Sequence, residues 1–127
     1  MTTLEQVQSD TAPAAIGPYS QAIKAGSLVF LSGQIPLNPQ SMEIVSEDVA
    51  AQTHQVFKNL IAVAEAAGGS LSKAVKLTIY LTDLGDFTVV NEIMAGYFSE
   101  PYPARATIQV SALPKGSAVE IDAILAL

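Results

Sequence analysis

Three features of this sequence predict an α+β protein in which two helices lie on one face of a mixed β-sheet. The stretch AVKLTIYLT, residues 74–82, alternates apolar and polar side chains with the period of a strand. Val49, Val56, Leu60, Val63 and Ala67 recur at helical spacing, and Gly68-Gly69 then stops the helix. The end of the chain holds two more alternating runs, Ala104–Ser111 and Ala118–Leu125. In chain order the elements read β-β-α-β-α-β-β, which 127 residues can hold as one domain over 1–127.

The start, MTTLEQVQSD, is polar and acidic. It lacks the basic and apolar regions of a secretory signal, so the cytoplasm is the expected location. TAPAAIGPYSQAI is punctuated by Pro and Gly and reads as a loop entering a strand. A hairpin follows: Tyr19–Lys24, a turn at Ala25-Gly26, then Ser27–Gly33. Pro36 and Pro39 keep the next stretch irregular. Ser46 is the expected N-cap of the first helix, with Glu47 and Asp48 where the helix dipole favours anions. His54 falls inside this helix and, with no partner in view, reads as a surface or packing residue. In the strand 74–82, Val75, Leu77, Ile79 and Leu81 are expected on one face. Asp86 can cap a second helix running from Phe87 to about Phe98. After Pro101 and Pro103 come the two closing strands, joined by a turn at LPKGS.

Half of the residues are apolar, 14% are charged, and the mean hydropathy is +0.36. A small monomer has too much surface per volume to hide that much apolar material, so a homo-oligomer is predicted, with a monomer bearing an apolar binding face as the alternative. No run approaches the ~18 apolar residues of a membrane span. The net charge of −6, with lysines scattered rather than clustered, disfavours nucleic acid as a partner. With no cysteine and one histidine, the chain offers no disulfide, no thiolate nucleophile and none of the usual metal clusters. No metal or cofactor is expected.

Arg105, the only arginine, stands in the middle of the strand ARATIQV. An unpaired charge in a strand interior costs several kcal/mol, so either a carboxylate of the protein or one from outside must meet it. Period two groups Arg105 with Thr107 and Gln109, and places Glu120 and Asp122 together on the last strand. If the last two strands form a hairpin in the right register, both acids join the Arg105 face and a cross-strand ion pair results. In the second helix, Phe87, Asn91, Met94 and Phe98 fall at i, i+4, i+7 and i+11. Asn91 thus interrupts an apolar stripe, and its amide can tie a nearby backbone or meet a ligand. Gly33 in LSGQIP can serve a turn or let a ligand approach a backbone N–H. Tyr19 in IGPYSQA carries little signal alone.

Taken together, APAAIGPYSQAI, LVFLSGQIP, VFKNLIAVAEAAGG, VKLTIYLTDLGDFTVVNEI, YPARATIQVSALPKG and VEIDAI resemble the RidA/YjgF family, from about Ala12 to Ile124. The resemblance implies the chorismate-mutase-like fold, a homotrimer with a barrel-like core, and clefts between subunits. It also implies hydrolysis of 2-imino or 2-enamino acids released by pyridoxal-phosphate enzymes, such as 2-iminobutanoate and 2-iminopropanoate, to 2-oxo acids and ammonia. By position, the family's substrate arginine matches Arg105 and its water-orienting glutamate matches Glu120. Its pocket tyrosine matches Tyr19, its helix asparagine Asn91, and its backbone-donating glycine Gly33. Thr107 stands where many members have cysteine, so it is expected to act through its backbone N–H or to hold water by its hydroxyl. The loop FSEPYPAR is shorter than in archetypal members, which bears on substrate size. An iminium carbon is already electrophilic, so this chemistry needs positioning and one carboxylate rather than a cofactor. A second class is a module that binds 2-oxo or other small acids without turnover. The ribonuclease or translation-inhibitor role reported for some relatives is disfavoured by the charge balance.

Overall fold

The computed structural model describes residues 3–127 and contains the strands β1 (Leu4–Val7), β2 (Ala22–Ala25), β3 (Leu28–Gln34), β4 (Ala74–Leu81), β5 (Ala104–Gln109) and β6 (Val119–Ala126). Its helices are α1 (Val49–Ala66) and α2 (Phe87–Ala95). The strands form one sheet in the order β1-β2-β3-β6-β4-β5. All pairs are antiparallel except β4–β5, which is parallel. A parallel pair needs a crossover, and α2 supplies it. β3 and β4 flank β6 and run the same way, so α1 is likewise a crossover.

This order corrects the expected closing hairpin. β4 lies between β5 and β6, so the last two strands are not neighbours. Tight two-residue turns make hairpins, whereas residues 110–118 form a longer connection with a 3-10 turn at Pro114–Gly116. The start of the chain is a second correction, because Leu4–Val7 forms an edge strand on β2.

Period two then sorts the side chains. Val29 and Leu31, Leu77, Ile79 and Leu81, and Val119, Ile121, Ala123 and Leu125 are buried. They meet Val56, Phe57, Leu60 and Val63 of α1 and Val90 and Met94 of α2 in one core. Each large apolar side chain fully buried there contributes about 1.5–3 kcal/mol. Val75 departs from its expected stripe and is 46% exposed, because the β4–β6 register shifts between Ala74 and Lys76. His54 is exposed, and its Nδ1 hydrogen-bonds the Tyr97 hydroxyl at 2.8 Å.

The helix ends differ from expectation by a few residues. Asp48, not Ser46, caps α1, its carboxylate accepting the Ala51 N–H at 3.0 Å. The Ser46 hydroxyl accepts the Asp48 N–H instead, which holds the cap in place. Gly68 follows with φ +81°, the left-handed conformation that glycine adopts without strain. Before α2, Asp83 rather than Asp86 makes the side-chain cap, accepting from Gly85 in a 3-10 turn. α2 stops at Ala95, with Gly96 as its C-cap, short of Phe98. The hairpin turn falls at Gly26-Ser27, one residue later than expected.

The sheet face away from the helices is uncovered. Phe30 and Ile108 are each 44% exposed there, and the register groups Ile23 with Phe30, and Ile124 with both Phe30 and Lys76. Among the described residues no helix is long and apolar enough to cross a membrane.

Candidate active site

β5 is an edge strand whose register sets Arg105, Thr107 and Gln109 beside Leu77, Ile79 and Leu81. Arg105 therefore points to the helix side of the sheet, at the margin that α2 covers. Three side chains one or two helical turns apart receive it. Its Nη1 donates to Asn91 Oδ1 at 2.5 Å and lies 3.6 Å from Met94 Sδ. Its guanidinium carbon sits 5.3 Å from the centroid of the Phe87 ring, within cation–π range. The Phe87–Asn91–Met94 stripe thus grips one edge of the fork. These hydrogen bonds go to an amide and a thioether, so the cross-strand ion pair with Glu120 or Asp122 is not what satisfies Arg105. Asn91 is exposed rather than buried, and its amide engages Arg105 instead of a backbone group. Arg105, Asn91, Met94, Ala95, Tyr102 and Pro103 line a concavity of about 450 Å³.

Glu120 faces the other way. The β4–β6 register puts it beside Tyr80, and Tyr80 beside Ile108, on the face without helices. Beyond it, the β3–β6 pairing shifts register between Leu31 and Gln34, and Gly33 sits in that irregularity. A Cβ added to Gly33 would overlap the Glu120 carboxylate, so a larger residue there would push the acid from this position. Tyr19 is 51% exposed, and its hydroxyl accepts the Ile16 N–H at 3.3 Å. Tyr19, Gly33 and Glu120 share a second concavity of about 340 Å³ with Pro13, Ile16 and Lys115. Burial first, and then the neighbouring Asp122 carboxylate, pushes the Glu120 carboxyl above the ordinary glutamate range. A carboxylate so placed is a stronger base than one in water.

Five of the six residues singled out in the sequence therefore form two groups. Arg105 and Asn91 lie at one margin of the sheet; Tyr19, Gly33 and Glu120 lie on its opposite face, with β4 between Arg105 and Glu120. Thr107 joins neither group. Its hydroxyl is buried and has no hydrogen-bond partner among the described residues. Sequence reasoning did not assign Phe87 and Met94 to the arginine, although their i, i+7 spacing with Asn91 was the available signal. Lys115, read only as part of a turn, lines the Glu120 concavity in a left-handed conformation with φ +58°.

Known proteins resemble this chain in sequence and in fold. The family model described as endoribonuclease L-PSP matches residues 9–127. A RutC family protein, y4sK of Sinorhizobium fredii, is 53% identical over 124 residues, covering 98% of each chain. The 2-iminobutanoate/2-iminopropanoate deaminase of Homo sapiens is 46% identical over 118 residues, covering 93% of this chain and 86% of that protein. The crystal structure of RidA from an Antarctic Psychrobacter species superposes with a TM-score of 0.93 at 54% identity, covering 97% of this chain and 99% of that one.

Proposed function

The chain belongs to the endoribonuclease L-PSP family, that of the RidA/YjgF proteins, and on that premise we propose that it is an imine deaminase. Its substrates are reactive 2-imino and 2-enamino acids such as 2-iminobutanoate and 2-iminopropanoate, released by pyridoxal-phosphate enzymes. One observation carries the reading. Arg105 and Glu120 lie on opposite faces of the sheet with β4 between them, and in this reading they are the anion-binding and base-bearing halves that a second copy joins.

The chemistry follows from the two halves. Arg105 keeps donors on the edge that Asn91 and Met94 leave untouched, and these take the substrate carboxylate in two charge-assisted hydrogen bonds. Glu120 of the neighbouring copy accepts a proton from water as the water oxygen bonds to the imine carbon. The electron pair of the C=N bond moves to nitrogen, which is protonated. Collapse of the resulting carbinolamine breaks the C–N bond and releases ammonia and the 2-oxo acid. Tyr19 walls the pocket, and Gly33 leaves room for the Glu120 carboxylate and for backbone approach. Thr107 contributes through its backbone. The name of the human relative supports the reaction class. Coupling to a threonine dehydratase, with the 2-oxo acid followed with and without this protein, tests the activity. Unchanged 2-oxobutanoate formation would overturn it.

The copies are proposed to form a homotrimer on the uncovered sheet face, where Phe30 and Ile108 gain from leaving water. Light scattering over a dilution series is expected to give about three times 13.3 kDa. A monomer mass at micromolar concentration would overturn both the trimer and the shared site.

A further inference from the structure

Tyr80 and Asp122 line neither concavity, yet they frame Glu120. The β4–β6 register sets Tyr80 directly beside Glu120 and Thr78 beside Asp122. Directly opposed residues have the closest Cβ atoms in an antiparallel ladder, so Glu120 is the acid directly across from Tyr80. The phenol reaches diagonally instead and donates to Asp122 Oδ2 at 2.9 Å. A phenol has one proton to donate, so Glu120 receives none from it.

We propose that the Tyr80–Asp122 pair positions Glu120 for proton transfer, with Asp122 engaging the phenol's only proton so that the Glu120 carboxylate stays uncapped and open to water. Asp122 also sets its charge two residues along the same strand face, where it makes Glu120 hold a proton more tightly. The hydrogen bond to Asp122, then burial and the two nearby acids, pushes the Tyr80 hydroxyl up, so the phenol remains a neutral donor while Glu120 titrates. The other titratable groups facing Glu120 are Tyr19 and Lys115 across the concavity, and Lys76 further along β4 beside Ile124. The Lys115 ammonium is engaged, donating to the Met42 carbonyl at 2.9 Å. This role rests on Glu120 being the base proposed above.

The test reads the Glu120 carboxyl twice: by carbon NMR titration of the full chain, and by the acid limb of kcat/KM for 2-iminobutanoate. In the wild type both midpoints stand above the ordinary glutamate range. Asp122→Ala removes both the neighbouring charge and the acceptor that holds the phenol, which frees Tyr80 to cap Glu120, and both changes favour the ionised carboxylate. Both midpoints therefore move to lower pH, and the kcat/KM plateau falls about tenfold as the base weakens. Tyr80→Phe leaves the Asp122 charge in place and gives Glu120 no donor, so its midpoint stays raised. In the double variant no phenol can cap Glu120, and part of the plateau returns. Midpoints and plateau unmoved by Asp122→Ala in a folded protein would overturn the positioning role. Failure of the underlying reading looks different: Glu120→Gln would turn over like the wild type, whereas the NMR midpoints report on the pair without any turnover.

Discussion

Glu120→Gln is expected to lower turnover of 2-imino acids by about 10²–10⁴-fold, the range for a lost general base. The amide keeps the shape of the side chain over Gly33 but cannot take the proton of water. Binding of product-like 2-oxo acids should persist, because Arg105 is untouched. Those two readouts separate an enzyme from a binding module. Turnover that survives while binding collapses would mean that Glu120 serves binding alone. A stability measurement adds an independent check. The Glu120 carboxyl is raised in the folded chain, so its contribution to stability is present below the ordinary glutamate pKa and lost as pH rises through the raised value. Glutamine mimics the protonated form. The variant should therefore match the wild-type Tm in acid and exceed it near neutrality.

Arg105→Lys is expected to reduce kcat/KM by roughly 10- to 100-fold with the fold retained, since a hydrogen bond to a charged group contributes about 1.5–3 kcal/mol. Lysine keeps the charge but loses the planar fork, which here must bind Asn91 on one edge and the substrate on the other. The weakening should appear equally in calorimetric binding of a 2-oxo acid. If kcat/KM and 2-oxo acid binding were both unchanged, Arg105 would not be the substrate anchor.

Much of the fold was legible because burial follows period. β6 alternates buried and half-buried residues along its whole length, and α1 carries its stripe to Gly68. β1 was not legible, since LEQV buries only Val7 and shows no alternation. Strand neighbours were not legible either, because pairing depends on where the crossovers land rather than on local residue type. The same limit applied to the site. Arg105 and Glu120 could be picked out by charge in an apolar setting, and the family resemblance gave them expected roles. Their placement on opposite faces depends on the β4–β5 and β4–β6 registers, which no local pattern encodes. Asp83 took the capping role expected of Asp86 because a 3-10 turn over Leu84–Asp86 precedes the helix and Asp83 caps that turn.

The division of chemistry between the two sides of the sheet has a genetic consequence. In the proposed homotrimer, a copy that lacks the guanidinium would still offer its carboxylate to one neighbour, and a copy that lacks the carboxylate would still offer its guanidinium to another. Two alleles, each silent when expressed alone, would rebuild intact sites wherever their products meet in a mixed ring. A doubly defective copy would instead spoil the sites on both of its borders, and so act dominantly over the wild-type chains around it.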